Sequence, residues 1–364
     1  MDILETTTGP VAYDDRGTGH PIVLLPSGAH DHHDYDELRD LLPDGWRSIE
    51  LDWPAHGASP AGEGPATVTR FADVAEQLVA RLAPEGAIVV GNSVGGFSAT
   101  RLAIRRPDLV KGLVIIDGGG FVGSPPHVRA FCSLMSRPGF LRRVYPAFSA
   151  HYMRSRTDAD RRSRDTGVAT TRADPGLRAV SELWGSFTSP EHDLRAAAAA
   201  ITAPTLVVWG RRDPVIPPKV GRRIATTIPG ARFAELDTGH VPHTTDPRAV
   251  ADLLVPFARE AVGAAPLDPV SAKPDATGWC RFEGDRPTPD DAICLYFVKP
   301  GGVDGDFVVD DAFAGEGAAA KAQRTFDAPR PEVIADIRRM QAAVRERVQR
   351  LPPATTPPAF KTRR

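Results

Sequence analysis

A serine, an aspartate and a histidine stand in this 364-residue chain at three places that each read as the end of a strand. The apolar run Ala87 to Val90 closes in Gly91-Asn92-Ser93-Val94-Gly95, and a helix-compatible segment from Phe97 to Arg106 follows. G-x-S-x-G between a strand and a helix makes a sharp turn that lifts the serine hydroxyl clear, and the glycines leave room for it. The helix N-terminus then aims its first amides, Val94 foremost, at negative charge developing on a bound substrate. Thr205 to Trp209 runs strand-like into Gly210-Arg211-Arg212-Asp213-Pro214, and Ala231 to Leu236 runs into Asp237-Thr238-Gly239-His240. A serine hydroxyl is a poor nucleophile until a base takes its proton. His240 is the candidate base, and Asp213 would fix its tautomer and stabilise the imidazolium that forms. The chemistry is acylation of Ser93, then hydrolysis by a water that His240 activates. His243 is an alternative base, and Asp117, at the end of the strand-like Gly112 to Ile116, an alternative acid.

These residues need a scaffold that brings three strand ends together. Strand-like and helix-like segments alternate from Val11 to Arg106, which predicts an α/β fold: a mostly parallel central sheet with helices on both faces. The alternation breaks between Phe121 and Ala200, where aromatic residues and arginines mix. A segment of that length is expected to be a helical cap over the site, able to exclude water and shape an apolar pocket. His30, Asn92 and Trp184 are the candidate substrate-binding residues.

The order Ser93, Asp213, His240, with separations of 120 and 27 residues, resembles the α/β-hydrolase superfamily over residues 10–262. In that family the loop after an early strand supplies a second oxyanion amide, usually within a His-Gly-aromatic sequence. Here Pro26-Ser27-Gly28-Ala29-His30 follows the strand-like Pro21 to Leu25, so the resemblance implies an oxyanion hole from Val94 with Gly28 or Ala29. Asp52-Trp53-Pro54-Ala55-His56-Gly57-Ala58-Ser59 resembles the family's D-x-P-G-x-G-x-S loop, with Ala55 in place of a glycine, and reads as architectural. The resemblance implies hydrolysis of a small-molecule carboxylic ester or lactone, through a serine esterase mechanism. Serine at 93 disfavours the epoxide hydrolases and haloalkane dehalogenases, which use aspartate there. The elbow is also similar to that of C–C bond hydrolases, but those carry Gly-His-Trp where Val241 follows His240 here. A non-hydrolytic ligand-binding or cyclase member of the fold is a further alternative.

Composition narrows the classes. Formal net charge is −2, from 44 basic and 46 acidic side chains, which gives no basic excess for nucleic acid or an anionic membrane. Cys132, Cys280 and Cys294 are odd in number and far apart, so neither a disulfide framework nor a zinc knuckle is implied, and no metal or cofactor is expected. No secretory signal or membrane-length apolar run is present, and a cytoplasmic enzyme is the default expectation. Residues 1–120 and 201–262 form the expected hydrolase core and 121–200 the cap. Residues 263–277 read as a linker, 278–351 as a small α+β appendage with a hairpin and an amphipathic helix, and 352–364 as a disordered tail. The helix from Arg330 to Leu351 carries an apolar stripe that packs on its own domain or, alternatively, joins a homodimer. A partner-docking role for this appendage is the third functional class.

Overall fold

Both faces of the central sheet are buried, and the strands alternate accordingly. In β3 (His20–Leu25) Val23 and Leu25 enter one apolar cluster, while Ile22 and Leu24 enter the cluster on the opposite face. The same division separates Leu113 and Ile115 from Val114 and Ile116 in β6 (Val110–Ile116). A strand covered on both sides needs apolar residues at every position, hence the near-continuous apolar runs in the sequence. The structure is a computed structural model and describes residues 1–263. The expected linker, appendage and tail lie outside the described residues, apart from Gly263.

The sheet has eight strands: β1 (Asp2–Thr6), β2 (Gly9–Gly17), β3, β4 (Trp46–Leu51), β5 (Ala87–Asn92), β6, β7 (Thr205–Gly210) and β8 (Arg232–Leu236). Their order across the sheet is β1-β2-β4-β3-β5-β6-β7-β8. β1 and β2 pair antiparallel at one edge; from β4 through β8 every pairing is parallel. One face is covered by α2 (Val68–Leu82), α3 (Val94–Arg105) and α8 (Pro218–Thr227), and the other by α1 (Asp36–Arg39) and α10 (Pro247–Ala261). α2 shows how the sequence sets such an element. Thr67 caps it by accepting from the Arg70 amide, and Phe71, Val74, Ala75, Leu78 and Val79 form the buried stripe.

Between β6 and β7 the chain leaves the sheet for α4 (Pro126–Met135), α5 (Pro138–Met153), α6 (Asp158–Arg172) and α7 (Asp174–Ser186). Thr157 and Asp160 form a reciprocal capping box at the start of α6. A short helix, α9 (Pro242–Thr245), follows β8. No helix among the described residues is long and apolar enough to cross a membrane.

Candidate active site

Three neighbouring strands, β3, β5 and β6, each end close to a non-glycine residue in the left-handed region: Ala29 (φ 72°), Ser93 (φ 55°) and Asp117 (φ 44°). Such conformations cost free energy and persist where the surrounding structure imposes them, often at functional sites. Ser93 links β5 directly to α3, with φ 55° and ψ −111°. Its amide donates to the Ile116 carbonyl at 3.1 Å, and its carbonyl accepts from Gly119 at 2.9 Å and Phe97 at 3.0 Å. The turn is tight enough that a Cβ on Gly91 would lie 2.1 Å from the Gly95 carbonyl oxygen, and one on Gly95 2.1 Å from that of Leu25.

Asp213 and His240 meet as the sequence expects. Nδ1 of His240 donates to Asp213 Oδ2 at 2.7 Å, and both residues are buried. The other carboxylate oxygen accepts from the amides of Val215 at 2.7 Å and Ile216 at 3.2 Å, which fixes the carboxylate in its turn. With Nδ1 engaged as a donor, the neutral imidazole carries its lone pair on Nε2, the nitrogen a base would use. The Ser93 hydroxyl makes no hydrogen bond to a group of the described residues; such contacts in unliganded sites often tighten only when substrate binds.

The side chain of Asn92 ties the two loops together. Its amide nitrogen donates to the backbone carbonyls of Ile116 at 3.1 Å and His240 at 2.9 Å, and the residue has no exposed surface. The expectation that Asn92 contacts substrate is therefore corrected: it faces inward and positions the histidine loop beside the elbow. His240 is held from the other side by α5, because its amide donates to the Tyr152 carbonyl at 3.0 Å and the two rings meet edge to face at 5.7 Å.

Of the oxyanion candidates, Ala29 is also corrected. Its amide is spent on His56 Nε2 at 3.0 Å, while His56 Nδ1 donates to the Pro54 carbonyl at 2.9 Å. Burial pulls the His56 pKa down to about 4, in keeping with this neutral tautomer. The amides of Gly28 and Val94 donate to no acceptor among the described residues. These two residues are close neighbours: a Cβ on Gly28 would lie 3.8 Å from a Val94 methyl and 2.8 Å from Leu183 Cδ2 of α7. The inserted helices thus press directly on the Gly28 loop, and Trp184 lies half-buried beside Leu183, ringed by Phe131, Phe148 and Phe187 at 5.0 to 5.8 Å.

His30 is fully buried and occupied, not open to substrate. Nε2 lies 2.6 Å from the Tyr152 hydroxyl and Nδ1 2.9 Å from Asp34 Oδ2, with Ser163 Oγ at 3.0 Å. Burial alone would lower its pKa, but the Asp34 charge and hydrogen bond more than offset this and raise it. His32 is buried too, bonded to Asp52 at 2.9 Å, and His56 as described; of these four loop histidines His33 alone is exposed. His243, the alternative base, is stacked on Tyr35 at 4.4 Å with neither ring nitrogen hydrogen-bonded, and burial holds its pKa at about 4.

Buried neutral histidines give this domain an acid-sensitive term. A folded pKa near 4 against 6.5 unfolded means the unfolded chain takes up the proton first, so stability is lost as pH falls from about 6.5 to 4. For His243 the loss from pH 7 to 5 amounts to about 2 kcal/mol. His30 and His32, with raised values, act oppositely and stabilise below 6.5. His243→Leu is expected to shrink the pH 7 to 5 stability difference by about 2 kcal/mol; equal pH slopes for variant and wild type in urea unfolding would refute this.

A family model described as "Alpha/beta hydrolase family" matches residues 22–253, more than half of the chain. The chain belongs to the alpha/beta hydrolase family. Among curated relatives, a Mycobacterium tuberculosis protein that carries the name non-heme bromoperoxidase BpoC is 29% identical over 263 residues, covering 68% of this chain and 97% of its own. A pimeloyl-[acyl-carrier protein] methyl ester esterase of Chromobacterium violaceum is 33% identical over 204 residues, covering 53% of this chain and 76% of its own. Among solved structures, the enol-lactonase of Burkholderia xenovorans LB400 superposes with a TM-score of 0.58 at 25% identity, covering 70% of this chain and 99% of its own.

Proposed function

We propose that this hydrolase is a serine enzyme that cleaves a small-molecule carboxylic ester or lactone. The observation that carries the reading is the 2.7 Å bond from His240 to Asp213, on a histidine loop that Asn92 anchors beside the strained Ser93. Ser93 attacks the carbonyl carbon as His240 Nε2 accepts its proton. Asp213 holds the imidazolium, and the amides of Gly28 and Val94 receive the oxyanion. His240 then returns the proton to the leaving alkoxide and activates the water that releases the acyl group. The helices over residues 126–186 act as a cap, with Leu183 closing over Gly28. The names of two relatives, a methyl ester esterase and an enol-lactonase, support an acyl-oxygen bond as the target.

The test is labelling with a fluorophosphonate probe, read by mass spectrometry of the intact and digested protein, beside a panel of short esters and lactones. A single adduct on Ser93, absent in Ser93→Ala and suppressed in His240→Ala, with turnover of at least one ester or lactone, is the expected result. A wild type left unlabelled where a control serine esterase reacts fully would overturn the proposal.

A further inference from the structure

Asp117 is a second carboxyl group at the site, and the mechanism above does not use it. It follows β6 with φ 44°, its amide donating to the Val208 carbonyl at 3.1 Å, so pairing with β7 continues one residue past the strand. Both of its carboxyl oxygens then face the Gly210 amide, at 3.0 and 3.1 Å. Gly210 also accepts the Asp213 amide at 3.0 Å, so both carboxyl groups are seated on one turn. An oxygen of Asp117, an oxygen of Asp213 and a ring nitrogen of His240 all lie within 4.8 Å of one another. Asp117 has no exposed surface and Asp213 only 5%.

Two buried carboxyl groups within 4.8 Å of each other strongly disfavour being ionised together when no cation lies between them. Among the described residues the one ion pair of Asp213 is with His240, and Asp117 has none. The proton must therefore rest on one of the two acids, and the hydrogen bonds decide which. Asp213 accepts from three donors: the Val215 and Ile216 amides and His240 Nδ1. Asp117 accepts from a single amide, shared between its two oxygens. The carboxylate with more donors is the better anion.

We propose that Asp117 is a positioning residue: a neutral carboxylic acid that donates its proton to Asp213 and holds that carboxylate against His240. Burial first, then the Asp213 charge, push its pKa well above the carboxylate range, in agreement with this assignment. Among the described residues, Asp213 and His240 are the titratable groups grouped with it within 4.8 Å. The proton stays on Asp117 throughout turnover; its effect is to fix the Asp213 carboxylate and spread part of its charge. This role rests on the serine-hydrolase reading, since it acts through Asp213 and His240.

Asp117→Asn and Asp117→Ala separate the outcomes. Asparagine keeps an acceptor for the Gly210 amide and a donor for Asp213, so kcat on an ester turned over by the wild type should stay within about threefold. Alanine removes the donor to a charged group, which should lower kcat about 10- to 100-fold with KM nearly unchanged, and shift the acid limb of the kcat/KM profile. Infrared spectra at pH 7 give a reading independent of turnover: the wild type should show a protonated-carboxyl carbonyl band that Asp117→Asn loses. The wild type minus Asp117→Asn difference isolates it from Glu50, whose carboxyl burial pushes up to about 8. Asparagine as damaging as alanine, or no band lost in Asp117→Asn, overturns the proposal. A wild type inactive on every ester and lactone would instead sink the hydrolase reading, with the infrared band still deciding the protonation of Asp117.

Discussion

Asp213→Asn is expected to lower kcat by about 10⁴-fold while leaving KM and the melting temperature close to wild type. The substitution preserves shape and the oxygen that accepts the Val215 and Ile216 amides, so the turn after β7 keeps its form. What changes is the group opposite His240 Nδ1. An amide nitrogen donates where a carboxylate accepts, so Nδ1 must become the acceptor and its proton must sit on Nε2. That is the nitrogen needed to take the Ser93 proton, and a protonated Nε2 cannot act as a base. Asp117→Asn is the same chemical change a few ångströms away, with the opposite expectation, because there the side chain acts as a donor. Steady-state kinetics on both variants, with thermal unfolding as a control for structure, reads the contrast directly. If Asp213→Asn kept more than about one percent of kcat, Asp117 would be serving as the acid partner of His240. Its assignment as a neutral positioning group would then fail.

The centre of the sheet was legible because strands β3 to β7 are buried on both faces. Runs such as Ile22 to Leu25 and Leu206 to Trp209 leave no polar position, and Ser93 and Asp213 each follow a buried run of this kind, whereas His240 follows the mixed, partly exposed Arg232–Leu236. Parallel strands bring their C-terminal ends to one edge, so the fold converts those sequence positions into one place. The candidate oxyanion loop was only partly legible. Gly28 and Ala29 are equivalent in sequence, and what separates them is His56, 27 residues beyond Ala29, which claims one amide and leaves the other. Asn92 adjoins Ser93 in sequence, yet successive strand residues face opposite ways and its amide turns inward to backbone carbonyls. His30 turns inward for a similar reason: besides the local Asp34, its partners Tyr152 and Ser163 lie 122 and 133 residues further on. No local pattern announces a contact of that range. Asp117 was visible at its strand end, but only as a competitor to Asp213; the structure places both acids on one turn.

Gly95→Ala should destabilise the protein by about 3 kcal/mol or more, the upper end for overpacking. For a domain of this size that is a fall of about 6 to 12 °C in melting temperature. The added methyl carbon would lie 2.1 Å from the Leu25 carbonyl oxygen, 2.7 Å from its carbon and 2.8 Å from the Pro26 carbonyl oxygen. Flexible side chains could yield to such a contact, but these are backbone atoms, and both carbonyls are tied. The Tyr35 hydroxyl donates to Leu25 at 3.0 Å and the Trp53 indole to Pro26 at 2.9 Å, while Leu25 also pairs with Gly91 in the sheet. Relief must come from the start of α3, which carries the Val94 amide away from Gly28, so activity should fall further than the loss of folded protein explains. Gly139→Ala in the first turn of α5 is the matched control, since nothing lies within 4 Å of its added carbon. Alanine in a helix is favoured over glycine by about 0.5–1 kcal/mol, so that variant should melt slightly higher than wild type. One substitution, Gly to Ala, then carries opposite signs at two helix starts, decided by whether backbone or open space meets the methyl group. Equal melting temperatures for Gly95→Ala and wild type would mean that the elbow is slacker than its contacts imply, and that the strain at Ser93 is not held in place by β3.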